Sequence, residues 1–208
     1  MRKGLFVTFE GPDASGKSLL TKLVAEKLKN LGYEVVTTRE PGGTKIGEDI
    51  RQILLSCDNK NMFNKTEALL FAAARAQHVE ELIKPAIKDG KIVLCDRWLT
   101  SSLAYQGEGR KLGDKNVMAI NDFGIDGLRP DVEFILNIEP DAAFKRIKNR
   151  DKDRIEHEDM SFHDRVNNYF KHYGEKVDYV VMLDGENDPN INADAVVNKL
   201  ISMMDFSL

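Results

Sequence analysis

Eight residues, Gly11-Pro12-Asp13-Ala14-Ser15-Gly16-Lys17-Ser18, constrain this chain more than any other feature. They match G-x-x-x-x-G-K-[ST], a loop whose glycines let successive backbone N–H groups turn inward around phosphate oxygens. The match carries weight only where the loop leaves a buried strand and opens a helix. Here Leu5–Glu10 reads as a buried strand. Lys17–Asn30 follows with Leu19, Leu20, Leu23, Val24 and Leu28 at helical spacing, all expected inward. The start of that helix contributes a partial positive charge. Lys17 is expected to reach the β- and γ-phosphates of ATP, and Ser18 to offer its hydroxyl to Mg²⁺.

The same alternation runs on down the chain. Strands are expected at Glu34–Thr38, Lys91–Cys95, Val132–Ile138 and Tyr179–Leu183. Helices are expected at Ile46–Cys57, Thr66–Lys88 and Ala193–Met204. Short β runs separated by helical segments imply an α/β fold with three layers, helices covering both faces of a central five-stranded parallel sheet. The 208 residues fit a single domain, 1–208. In such sheets ligands bind beyond the carboxyl ends of the strands, so the informative residues should follow the strands.

Charge narrows the partners. A net charge of −4 argues against a general nucleic-acid binder, yet leaves room for a locally positive pocket that takes a small anion. No stretch approaches the roughly 18 apolar residues of a membrane helix, and the run Leu5–Val7 is too short for a signal peptide. Only Cys57 and Cys95 occur, without metal or disulfide spacing, which suits a reduced cytoplasm.

Three further clusters fall at the expected ligand edge. Arg39-Glu40-Pro41-Gly42-Gly43-Thr44 follows the second strand, where a plain turn would need Pro and Gly but not flanking charges of both signs. Asp96-Arg97-Trp98 follows the third, with Asp96 placed to orient Mg²⁺ or its water shell and Arg97 to fork onto a phosphate. A surface ion pair or a helix cap is the bland reading of the same residues. Phe71 and Arg75, four apart, share a helix face and could stack on a flat base and bond its carbonyl. Their bland reading puts Phe71 in the core and Arg75 in water. Asn64-Lys65-Thr66-Glu67 approaches the guanine-reading N-K-x-D, but it sits between two helices rather than after a strand, which disfavours a GTPase.

Phe9-Glu10-Gly11 leading into the P-loop, Arg39–Thr44, and Asp96-Arg97 followed by Ser101-Ser102-Leu103-Ala104-Tyr105-Gln106-Gly107 together resemble thymidylate kinase across nearly the whole chain. The resemblance implies phosphorylation of dTMP to dTDP by ATP with Mg²⁺, in a homodimer built through the helices at roughly 46–88. It implies that Phe71 stacks on thymine, Arg75 reads its exocyclic oxygen and Gln106 contacts the ring, with Ser102 beside them. Tyr105 would crowd the sugar. Arg51 and Arg97 would hold the acceptor phosphate, Asp13 would approach the sugar 3′-hydroxyl or the phosphoryl centre, and Glu40 would arrange the magnesium or sugar side. A lid at about 149–156 would carry Arg150 and Arg154 as catalytic arginines, because this P-loop has none. Many relatives have Tyr or His at Trp98 and Asp at Thr100, so a kinase for another monophosphate such as dUMP is the nearest alternative. A non-catalytic ATP-binding regulator is a more distant one.

Overall fold

The computed structural model describes residues 4–139, 142, 143, 146, 152–174 and 177–205. Five parallel strands form one sheet: β1 (Leu5–Glu10), β2 (Val35–Arg39), β3 (Ile92–Asp96), β4 (Val132–Asn137) and β5 (Val180–Asp184), in the order β2-β3-β1-β4-β5. β1 is central and buried along its whole length. A strand covered on both faces needs apolar side chains on both, which explains its unbroken apolar start. Pleat alternation sends Leu5, Val7 and Phe9 to one layer with Leu20, Val24 and Leu28. Phe6 goes to the other layer, with Val79, Ile83, Val93 and Trp98. This is the expected three-layer α/β/α architecture.

The helices used below are α1 (Lys17–Asn30), α2 (Lys45–Leu55), α3 (Asn64–His78), α4 (Lys84–Lys88), α5 (Leu99–Ser102), α6 (Asp114–Ile125), α7 (Met160–Tyr173) and α8 (Pro189–Asp205). α1 packs with α8 on one face, and α3 packs with α2 and α6 on the other. Thr44 caps α2, its hydroxyl accepting from the Gly47 N–H at 3.0 Å. α2 stops at Leu55, and Cys57 opens a short 3₁₀ turn instead of ending the helix.

Three expectations shift. The single helix expected over Thr66–Lys88 is broken by a π-helical stretch, Val79–Ile83, before α4. Pro85 is the physical cause: it has no N–H to donate one turn back, and its ring crowds the carbonyl four residues earlier. Leu19 does not face the core but is 50% exposed near the start of α1, where it lines a cavity beside the P-loop. Finally, β2 and β3 end on Arg39 and Asp96, so charged groups expected to follow these strands are their last residues.

Candidate active site

The P-loop takes the shape its glycines permit. Gly11 has φ of 131° and Gly16 has φ of 103°, and a Cβ on Gly11 would lie 2.5 Å from the Leu136 carbonyl oxygen. No side chain caps the start of α1, which leaves its first N–H groups for an anion. Lys17 folds back on the loop, Nζ donating to the Pro12 carbonyl at 2.7 Å and Ser15 Oγ at 3.1 Å. Burial, helped by the Arg97 charge, lowers its pKa to about 8, against the pull of Asp96, Asp13 and Glu10. The Ser18 hydroxyl donates to the Asp96 carboxylate across the gap between α1 and β3.

Arg97 is the pivot between the loop and the cavity. Its φ of 74° is unusual for a residue with a side chain, and buried Glu10 braces the turn that holds it. Glu10 Oε1 accepts from the N–H groups of Trp98 at 2.7 Å and Ser101 at 3.1 Å, and Oε2 from the Ser101 hydroxyl. Arg97 donates to the Gly11 carbonyl at 2.9 Å, to Ser101 Oγ at 3.1 Å and to Asp13, and lies over the Tyr105 ring at 5.2 Å. Tyr105 donates to the other Asp13 oxygen at 2.7 Å. Burial works against ionisation of Asp13, but Arg97 and Lys17 hold its carboxyl below the usual range.

Arg51 donates to the Pro41 carbonyl at 2.9 Å. Burial and then the neighbouring Arg39 lower its pKa, against the pull of Glu48 and Asp153, with Arg97 adding to the repulsion. Cations crowded in this way are relieved by a multivalent anion.

Arg75 is more deeply placed than Phe71, the reverse of the bland expectation: it is 2% exposed. Its Nε donates to Glu40 at 2.7 Å, Nη1 to Asn121, and Nη2 to the Trp98 carbonyl at 3.2 Å and to Ser102 Oγ at 3.0 Å. The guanidinium lies 5.4 Å from the centre of the Trp98 ring. Glu40 also meets His78 Nδ1 at 3.0 Å, and His78 Nε2 meets Thr38 Oγ1 at 2.7 Å. Both oxygens of Glu40 are thus engaged, one by Arg75 and the other by His78, which places Glu40 with the base readers. Thr100 is buried and donates to Glu133 at 2.8 Å, so a carboxylate stands beside position 100 after all.

These groups enclose a cavity of about 480 Å³. Of the residues expected there, Asp13, Ala14, Gly16, Lys17, Ser18, Glu40, Arg51, Phe71, Arg75, Asp96, Arg97, Ser102, Tyr105 and Gln106 line it. Gly11, Pro12 and Ser15 act from behind, through the contacts to Arg97 and Lys17 already given. Arg154 does not reach the cavity: it is buried, with Nε donating to the Leu54 carbonyl at 2.9 Å and Nη2 2.8 Å from Glu67. Buried Glu67 offers a better partner for a guanidinium than open water. Arg150 lies outside the described residues, as does part of the expected lid at 149–156.

The residues that sequence reasoning missed are those that hold others. Arg146 lines the cavity and donates to the carbonyls of Ala14 at 3.1 Å and Gly185 at 3.1 Å, clasping the P-loop from the β5 side. It precedes the expected lid at 149–156 and belongs to no motif. Glu67 was part of the dismissed Asn64–Glu67 motif. His78 lies one turn beyond Arg75, a spacing that could have flagged it. Asn121, far along the chain, carried no signal.

A family model described as thymidylate kinase matches residues 9–196. Curated relatives agree. A thymidylate kinase of Lactobacillus acidophilus is 54% identical over 79% of this chain and 78% of its own length. One of Finegoldia magna is 52% identical over 80% of this chain and 83% of its own. One of an Exiguobacterium species is 42% identical over 97% of this chain and 96% of its own.

Proposed function

Because the chain belongs to the thymidylate kinase family, we propose how its own residues carry out the ATP-dependent phosphorylation of dTMP to dTDP. The observation that carries the reading is one cavity with two unlike ends. A P-loop with an uncapped helix start stands at one end, and a guanidinium fixed against an aromatic residue at the other. The first suits the phosphates of ATP and the second a pyrimidine base.

Lys17 and the first N–H groups of α1 bind the β- and γ-phosphates of ATP, and Arg146 clasps the loop through the Ala14 carbonyl. Ser18 and Asp96 together offer a hydroxyl and a carboxylate, the hard oxygen donors that Mg²⁺ takes alongside phosphate oxygens and water. Mg²⁺ bound there would neutralise phosphate charge. Arg51 and Arg97 hold the acceptor phosphate, a reading supported by both lining the same cavity. Phe71 stacks on thymine, Arg75 donates to its exocyclic oxygen and Gln106 contacts the ring. Tyr105, fixed by Asp13, stands against the sugar.

Two anions must approach each other, and the cations Lys17, Arg51 and Arg97 offset their repulsion as charge spreads over the transferring phosphoryl group. The acceptor phosphate has a second pKa near about 6, so it arrives ionised and needs no general base. Arg154, 2.8 Å from Glu67, is read as anchoring the lid's base, with the ion pair supporting that reading. A homodimer fits the apolar residues exposed on neighbouring helices, Ile46 and Ile53 on α2 and Leu69 on α3. The cytoplasm fits the two unpaired cysteines. No helix among the described residues is long and apolar enough to cross a membrane.

ADP release with dTMP compared against thymidine tests this assignment. Turnover with dTMP and none with thymidine is expected, because Arg51 and Arg97 require the phosphate. Equal turnover with both would remove them from the acceptor site.

A further inference from the structure

We propose that Asn121 and Glu67, neither of which lines the cavity, are positioning residues that fix the base readers in the donor and acceptor pattern of an oxo-pyrimidine. The inference rests on the base-end reading of the cavity given above. Arg75 has five N–H donors. Four of its hydrogen bonds are made within the protein, through Nε, Nη1 and both contacts of Nη2. One Nη1 N–H remains, and its direction depends on where its twin is tied.

That twin is tied to Asn121, which is 2% exposed. The Asn121 amide cannot turn over freely, because its Nδ2 donates to the Val117 carbonyl at 2.8 Å, one turn back on α6. With the nitrogen committed there, the oxygen must face Arg75. Asn121 thereby converts a cation with many donors into a reader with one. Its charge is already matched by Glu40 at 2.7 Å, so it suits a neutral carbonyl better than a phosphate.

Gln106 is set in the same manner. Its Nε2 donates to Glu67 at 2.9 Å. A carboxylate only accepts, so the amide nitrogen must be the group turned toward it, and the Gln106 carbonyl oxygen is left for another donor. Glu67 is itself held by Arg110 at 2.9 Å and Arg154 at 2.8 Å. Burial raises its pKa, but the Arg110 hydrogen bonds and charge outweigh that and keep it ionised. The outcome is a donor from Arg75 and an acceptor from Gln106, both on the wall of the one cavity. Thymine and uracil present the complement, a carbonyl O4 next to an N3–H. Cytosine presents the reverse, an amine next to a bare ring nitrogen.

The test compares kcat/KM for dTMP and dCMP in the unaltered protein and in three variants. In Asn121→Leu the dTMP preference should fall about 10-fold or more, the worth of one well-placed hydrogen bond. The change should appear in the dTMP KM, with kcat within about twofold and the ATP KM unchanged. Asn121→Asp, which keeps the acceptor, should restore most of the preference. Glu67→Gln, which can turn either end of its amide to Gln106, should also relax it. A folded Asn121→Leu with unaltered preference, or with equal losses on both nucleotides, would overturn the proposal and leave Asn121 a packing residue. A wild-type protein that phosphorylates dTMP and dCMP alike would instead bring down the base reading on which the proposal stands.

Discussion

Lys17 is buried to 6% exposure with a pKa lowered to about 8, so in the free protein it loses its proton as pH rises through 8. ATP phosphates favour its charged form and raise that pKa. Binding above pH 8 must therefore take up a proton, and affinity must fall as pH rises through 8 and beyond. Calorimetry at pH 8.5 in two buffers of different ionisation enthalpy should show net uptake, which Lys17→Ala should abolish. Removing this one charge should also lower kcat by about 10²–10³-fold with the fold intact. Arg51 gives a second residue-scale outcome: Arg51→Ala should raise the dTMP KM about 10-fold or more while leaving the ATP KM in place, as initial rates against each substrate would show. Lys17 and Ser18 were legible in the sequence because a P-loop encodes its chemistry in contiguous residues. Asn121 was not, because its meaning arises only when α6 packs on α3 and brings it to a guanidinium 46 positions away. Arg154 was legible as a cation but not as a partner of Glu67, since a charged stretch does not say which charges turn inward.

The elements show the same division between local and distant causes. The strands were readable because β1, β3 and β4 are nearly continuous apolar runs, as strands covered on both faces must be. The break after α3 was misread because helical spacing continues through Val79 and Ile83 while Pro85 removes one backbone donor. The turn between β2 and α2 is tightly built. Gly43 has φ of 78°, and a Cβ there would lie 2.5 Å from both His78 Nε2 and Thr38 Oγ1. Gly43→Ala should displace the Thr38–His78–Glu40 chain that braces Arg75, raising the dTMP KM several-fold more than the ATP KM. Equal effects on the two substrates in steady-state kinetics would show that the turn matters to the whole cavity and not to its base end.

At the scale of the molecule, the sheet interior carries an electrostatic cost that pH can reveal. Glu133 on β4 is 1% exposed; burial, and then the charge of Glu10, raise its pKa to about 8. The folded state therefore binds this proton more tightly than the unfolded chain does. The contribution from Glu133 is most favourable below the ordinary carboxylate range near pH 4.5 and is lost as pH rises through 8. Glu133→Gln, which stays neutral, should raise Tm at pH 8.5 more than at pH 5.5 in paired thermal melts. The architecture that surrounds this pair, five parallel strands between two helical layers, follows from the alternation of elements. The joining of its two ligand ends into one cavity does not, because it depends on how β1, β3 and α3 meet in space. That joining is the central claim, and the most direct measurement is kcat/KM for dTMP, dUMP, UMP, CMP and AMP with ATP and Mg²⁺. Strong preference for dTMP, with dTDP and ADP formed one for one, is the predicted result. Preference for another monophosphate, or ATP binding with no acceptor phosphorylated, would contradict it.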